Sequence, residues 1–197
     1  MKRYRDFNQF LRENFGLRVQ KITVDAGFSC PNRDGSLSTK GCIFCDPLGS
    51  GTGAWSRGVS VTQQIIQGKQ ALERRYKAKG FLAYFQAFSN TYAPLERLKA
   101  LYDEALAIPG VLGICVGTRP DCISDEVLDL LSSYTRKGMV WVEYGLQSAH
   151  DETLLLINRG HDVETFVHAV EESRRRGLLV CAHLIVGLPG ELSLIHI

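Results

Sequence analysis

Val111-Leu-Gly-Ile-Cys-Val-Gly117, the helix-patterned stretch Asp125–Lys137, and Val140-Trp-Val-Glu-Tyr-Gly-Leu146 decide the architecture of this chain. The two flanking runs are almost continuously apolar rather than alternating, the pattern of strands covered on both faces. Ser124 stands where a helix N-cap belongs. A strand, a crossover helix and a second strand read this way form a parallel unit. The pattern extends in both directions. Further strands are expected at Lys21–Asp25, Phe81–Phe88 and Leu179–Val186, and helices at Val61–Lys79, Leu95–Ala107 and Val163–Arg176, with a shorter helix near Asp151–Ile157 and a stop at Gly177. Ahead of these lies an amphipathic helix with Tyr4, Phe7, Phe10 and Leu11 on one side, ending near Gly16. Regular alternation predicts one parallel α/β domain with its chemistry at the carboxyl ends of the strands.

The composition agrees with a packed domain. In 197 residues, 45% are hydrophobic and 22% charged, which excludes collagen-like, low-complexity and wholly disordered chains. The formal net charge of +2 is too small to announce nucleic-acid binding by itself. Basic residues do gather near the start, at Lys2, Arg3, Arg5, Arg12, Arg18 and Lys21. No segment approaches the roughly 18 apolar residues of a membrane span, and MKRYRDFNQF lacks the apolar region of a signal peptide. The expectation is a cytoplasmic protein without membrane contact, whose six cysteines are thiols.

Three of those thiols are clustered. Phe28-Ser-Cys30-Pro-Asn-Arg-Asp-Gly-Ser-Leu-Ser-Thr-Lys-Gly-Cys42-Ile-Phe-Cys45 spaces them as C-x11-C-x2-C in a polar loop just after the first strand. Thiolates this close can converge on one metal centre, with Gly41 allowing a tight turn beside Cys42. A structural zinc site normally takes four protein ligands, and neither a second C-x-x-C nor a nearby histidine is present. An all-cysteine electron-transfer cluster lacks its fourth ligand for the same reason. A 4Fe–4S cluster on three cysteines, with one iron open to a reacting ligand, is the remaining arrangement. Zinc stays as the competing one.

At this point the sequence resembles a known family. The three-cysteine loop after the first strand of a parallel α/β fold resembles the radical S-adenosylmethionine (SAM) superfamily. The string CPNRDG…GCIFC is similar to its Elp3-like branch, and within that to the YtqA/YhcC-like proteins. Gly117-Thr-Arg119-Pro-Asp121-Cys122 is similar to the TRPD motif of that branch, Glu143-Tyr-Gly-Leu-Gln147-Ser148 to its fourth-strand motif, Asn158-Arg159-Gly-His161-Asp162 to its NRGH element, and His183-Leu-Ile-Val-Gly-Leu-Pro-Gly-Glu191 to its GLPGE motif. The glycine-rich GGE-like stretch of the wider superfamily is replaced here by Gln86-Ala-Phe-Ser89-Asn90-Thr91-Tyr92.

The resemblance implies a fold, cofactors and roles. The fold would be a partial parallel (β/α) barrel of radical SAM type, with five strands visible and the chain truncated before the sixth. Cys30, Cys42 and Cys45 would hold a 4Fe–4S cluster, and Phe44, Asn90, Glu143, Gln147, Arg159 and His183 would bind SAM. The chemistry implied is reductive cleavage of SAM to a 5′-deoxyadenosyl radical, with an external electron donor of flavodoxin or ferredoxin type. Elp3-like enzymes act on the wobble uridine of transfer RNA (tRNA), which makes tRNA the leading substrate. The alternatives are a small metabolite or a protein as substrate, or a non-catalytic metal module that binds RNA.

Arg119 and Asp121 are read either as catalytic-face groups or as a local ion pair, and Cys122 as an outside candidate for a substrate-directed thiol. Cys115 and Cys181 read as buried structural thiols. Tyr4, Phe7 and Phe10 among the early basic residues are compatible with RNA docking, although aromatics at that spacing normally pack inward. The chain divides into a helix over 1–20, an incomplete core over 21–191, and Leu192-Ser-Leu-Ile-His-Ile197. That hexapeptide matches the translation of a transposase adapter end, so the natural chain is expected to continue, and this form to expose its last strand and dissolve poorly.

Overall fold

A computed structural model describes residues 3–191; the expectation about residues 192–197 lies outside them. Five strands form one sheet in the order β1 (Val19–Val24), β2 (Gly80–Phe85), β3 (Val111–Thr118), β4 (Met139–Gln147) and β5 (Leu179–Leu184), each parallel to its neighbour. Among the described residues six α-helices accompany it: α1 (Phe7–Phe15), α2 (Val61–Tyr76), α3 (Leu95–Leu106), α4 (Asp125–Ser133), α5 (Asp151–Leu156) and α6 (Val163–Arg175).

Local chemistry sets the helix ends. Asp6 caps α1 by accepting from the Gln9 N–H at 2.7 Å, and Gly16 closes it at φ +66°. Ser60 and Gln63 cap α2 reciprocally: Ser60 Oγ accepts from the Gln63 N–H at 3.2 Å, and Gln63 Oε1 accepts from the Ser60 N–H at 3.0 Å. Ser124 caps α4 and Asp162 caps α6.

The period-2 alternation of the strands divides the sheet into two unlike faces. Ile22, Val24, Phe81, Ala83, Phe85, Ile114, Val116, Val140, Val142 and Tyr144 build the main core with residues of α2, α3, α4 and α6. The opposite face is apolar only toward the amino ends of the strands. There Val19, Leu82 and Cys115 pack with Leu11 and Phe10 of α1. Toward the carboxyl ends it carries Lys21, Tyr84, Glu143 and His183, and this polar half is where the site forms.

Several expectations change. β1 starts at Val19, so the leading helix is shorter than 1–20. Tyr4 lies before α1 and is 72% exposed, whereas Phe7 and Phe10 each sit 5.1 Å from the Trp141 ring. Both rings pack against Trp141, with Phe10 half-buried and Phe7 still 38% exposed. The run Phe81–Phe88 leaves the sheet after Phe85, and Phe88 takes φ +61° in the loop that follows. Asp125–Lys137 divides into α4 and a 3-10 turn at Tyr134–Arg136. Cys115 is buried as expected, but Cys181 is only half-buried on the edge strand β5.

Candidate active site at the carboxyl end of the sheet

The three clustered cysteines border a single cavity above the polar half of the sheet. Cys42 is buried, Cys30 and Cys45 are half-buried, and all three are free thiols. The loop that carries them is anchored at its base. Gly41 turns at φ +73°, and a Cβ there would sit 3.0 Å from Arg33 Nε. The Gly41 N–H donates to the Asn32 carbonyl at 2.7 Å. Asn32 donates from Nδ2 to the Asn158 carbonyl at 2.6 Å and toward Cys42 Sγ at 3.4 Å, and Asn158 returns a hydrogen bond from Nδ2 to the Gly41 carbonyl at 2.7 Å. The cysteine loop and the Asn158-Arg159-Gly160-His161 segment are therefore one hydrogen-bonded unit.

The strands supply the other walls. Tyr84 comes from β2, Gly117 and Thr118 from β3, Glu143, Gly145 and Gln147 from β4, and His183 from β5. Phe44 is 39% exposed on the cavity wall, which makes it no core anchor. Gln147 lines the cavity at φ +74°. Gly145 leaves room for Arg159, since a Cβ there would come within 2.8 Å of Arg159 Nη2. Arg159, 6% exposed, donates through Nε and Nη2 to the Gly145 carbonyl at 3.2 and 2.6 Å.

Glu143 is 3% exposed and is held from two sides. Lys21 pairs with Oε1, and His183 Nε2 lies 2.9 Å from Oε2. Burial works to raise the Glu143 pKa, but the bonds from His183 and Lys21 outweigh it and keep the carboxyl below the ordinary range. Hydrogen bonding with Cys181 and with Glu143 pushes His183 up to about 9, so its imidazolium persists through neutral pH. The Lys21 ammonium also lies over the rings of Tyr84 (4.4 Å), Phe7 (4.9 Å) and Trp141 (5.8 Å). This cation joins α1 to the floor of the cavity. Lys21 and Tyr84 are not among the residues singled out from sequence.

Asn90 stands apart from the other expected residues. It is fully buried, its Nδ2 donates to the Gly117 carbonyl at 2.7 Å, and the neighbouring Ser89 lines the cavity instead. Cys122 also lies off the cavity, and burial pushes its thiol up to about 12, which removes it as a reactive thiolate. Arg119 and Asp121 do form the local ion pair, bidentate at 2.9 and 2.7 Å.

Zinc bonds to thiolate at about 2.3 Å and would draw its sulfurs to about 4 Å from one another. Among the described residues, the one group of three metal-ligating atoms within 4.8 Å of one another is Glu143, Cys181 and His183, so the three cysteine sulfurs are spread more widely. The three cysteines instead border an open cavity, one buried and two half-buried, as soft sulfur donors of the kind an iron–sulfur cluster takes. The buried, unpartnered Ser89 Oγ and Arg119 Nη1 belong to residues on the same wall and leave polar capacity for a bound group.

Comparison with known proteins agrees with this geometry. The family model of the Radical SAM superfamily matches residues 35–192. The chain is 45% identical over 190 residues to the uncharacterized protein YtqA of Bacillus subtilis, covering 96% of this chain and 59% of YtqA. It is 39% identical over 80 residues to a tRNA uridine(34) acetyltransferase of Methanocaldococcus infernus, covering 40% of this chain and 14% of that protein. The archaeal Elp3 structure from M. infernus superposes with a TM-score of 0.59 at 20% identity, over 88% of this chain and 39% of that one. The fold is thus the partial (β/α) barrel expected, and the chain spans under two thirds of the length of YtqA. Taken with the cysteine-lined cavity, these matches show that the chain belongs to the Radical SAM superfamily, a family of enzymes.

Proposed function

We propose that this chain is the catalytic part of a radical SAM enzyme that acts on a uridine side chain at the wobble position of tRNA. The observation that carries the enzyme reading is the convergence of Cys30, Cys42 and Cys45 with Arg159 and Gln147 on one cavity at the carboxyl end of the sheet. Those three cysteines would hold a 4Fe–4S cluster, and Phe44, Gln147, Arg159 and His183 would hold SAM. When bound, this pair supplies one-electron cleavage of the sulfonium and abstraction of a hydrogen atom from substrate.

The residues of the chain position and enclose. Gln147 offers an amide to ribose hydroxyls, and Arg159 offers a guanidinium to a carboxylate. Phe44 supplies an apolar wall. The Lys21–Glu143 pair under the rings of α1 closes the floor against water, which protects a reactive site from stray donors. The tRNA reading is supported by the partial match to a tRNA uridine(34) acetyltransferase. An external donor of flavodoxin or ferredoxin type would deliver the electron. A cytoplasmic setting is supported by the free cysteines, and no helix among the described residues is long and apolar enough to cross a membrane.

Two measurements test this. Reduced, anaerobically loaded full-length protein should release 5′-deoxyadenosine from SAM. Deleting the gene should change the wobble-uridine nucleosides of bulk tRNA in a mass-spectrometric profile. An unchanged profile would refute the tRNA substrate, and no 5′-deoxyadenosine would refute the enzyme reading.

A further inference from the structure

The basic residues of the chain are not spread evenly. Residues 1–21 and 69–79 hold 11 of the 23 Lys and Arg but 3 of the 21 Asp and Glu, so the rest of the chain, with 12 basic against 18 acidic residues, is net negative. The fold brings much of this excess to one place. Arg12 is in the last turn of α1, Arg18 just precedes β1, Arg74 and Arg75 close α2, and Lys77 and Lys79 lie in the turn into β2. The Lys79 N–H donates to the Arg18 carbonyl at 2.9 Å, and the guanidinium carbons of Arg18 and Arg75 lie 5.7 and 5.0 Å from the centre of the Tyr76 ring. These groups surround the amino ends of β1 and β2, at the opposite end of the sheet from the cavity.

All six side chains are exposed, and none is in an ion pair among the described residues. Cations in the last turn of a helix complement its dipole, which accounts for Arg74 and Arg75. It does not account for Arg18 or Lys79, which lie outside the helices yet stand against the same turn. The sequence has a single acid between Val61 and Lys79, Glu73, and Glu13 beside Arg12 is already paired with Arg5. Like charges gathered without counter-charges repel one another, and a polyanion removes that repulsion. Tyr76 orders two of the guanidiniums by cation–π contact, and a guanidinium fork matches phosphate oxygens. No large apolar side chain within residues 11–18 or 71–79 is exposed, so the surface lacks the apolar anchor of a membrane-binding face.

We propose that Arg18, Arg75, Lys77 and Lys79 form a phosphate-binding surface that holds the body of the tRNA substrate while the wobble nucleotide enters the cavity at the other end of the sheet. The surface rests on the tRNA reading above. β2, which joins the two ends, has six residues and is about 20 Å long at about 3.3 Å per residue. That equals about six nucleotides along one strand of a duplex, at about 3.4 Å each. One arm of an RNA therefore reaches from the cations to the cavity.

The test is tRNA binding by the full-length protein across a series of salt concentrations. Lys77→Gln combined with Lys79→Gln should weaken binding about tenfold and lower the slope of log affinity against log salt by about two. Arg18→Gln combined with Arg75→Gln should do the same, and it decides the matter should the first pair disturb the fold. Arg136→Gln combined with Arg174→Gln removes as many exposed charges elsewhere and should leave affinity and slope close to those of the parent protein. Surface variants with the parent's affinity and slope would overturn the proposal, as would control variants weakened equally. Parent protein that binds vesicles of anionic lipid but not tRNA would overturn it too. Unaffected surface variants beside a changed nucleoside profile on gene deletion would remove this surface alone, whereas an unchanged profile would remove the tRNA substrate with it.

Discussion

Asn32 and Asn158 tie the cysteine loop to the segment after α5: the Asn32 amide nitrogen lies 2.6 Å from the Asn158 carbonyl oxygen while also facing Cys42 Sγ at 3.4 Å. Removing it leaves a half-buried carbonyl and a thiol without their donor, a loss of about 1–3 kcal/mol. Asn32→Ala should fold, yet lose iron faster than the parent protein when challenged with a chelator. Equal release rates would show that the bridge does not hold the loop.

The Lys21–Glu143 pair crosses between strands that are not adjacent, and the carboxylate is almost fully buried. Lys21→Met leaves the carboxylate to His183 alone and should cost about 1–3 kcal/mol, whereas Lys21→Met combined with Glu143→Gln should recover part of the loss. Urea denaturation of the metal-free protein measures both. A neutral Lys21→Met would contradict the assigned role.

His183 binds its proton more tightly in the folded chain than in the unfolded one, with a pKa of about 9 against 6.5. Its contribution to stability is therefore complete below about pH 6.5, declines as the pH rises, and is gone above about pH 9. The side chain is 40% exposed, so solvent keeps the effect modest. His183→Gln should flatten the decline of melting temperature across that window. A parallel decline in both proteins would assign it to other groups.

Trp141 receives Phe7 and Phe10 of α1 and borders the Lys21 ammonium. Trp141→Ala should cost about 3–5 kcal/mol, and free α1 to proteolysis before the rest of the domain unfolds. Simultaneous cleavage throughout the chain would show that α1 is not a separately docked element.

Much of this arrangement is visible in the sequence because parallel strands under two covers are written as apolar runs, and because Ser124 and Gly177 mark a helix start and a helix stop. The strand boundaries are less legible. Phe88 continues an apolar run yet leaves the sheet at a positive φ, a choice made by the cavity loop rather than by side-chain pattern. Spacing brings the cysteines together, and motif order brings Gln147, Arg159 and His183 to the same wall. Asn90 lies behind the cavity wall in the motif that departs from the wider superfamily, with Nδ2 on the Gly117 carbonyl and Oδ1 buried without a partner. The place of Lys21 in the site is illegible for a different reason. Its partners Glu143, Tyr84 and Trp141 lie on two other strands, and their convergence depends on registers that one sequence does not display.

The central claim is that three thiols carry an iron–sulfur cluster. Full-length protein reconstituted without oxygen should contain about four iron and four sulfide per chain, and Cys30→Ser, Cys42→Ser or Cys45→Ser should each lose most of that content while remaining folded. A colourless preparation without iron, or stoichiometric zinc that resists replacement, would contradict the account.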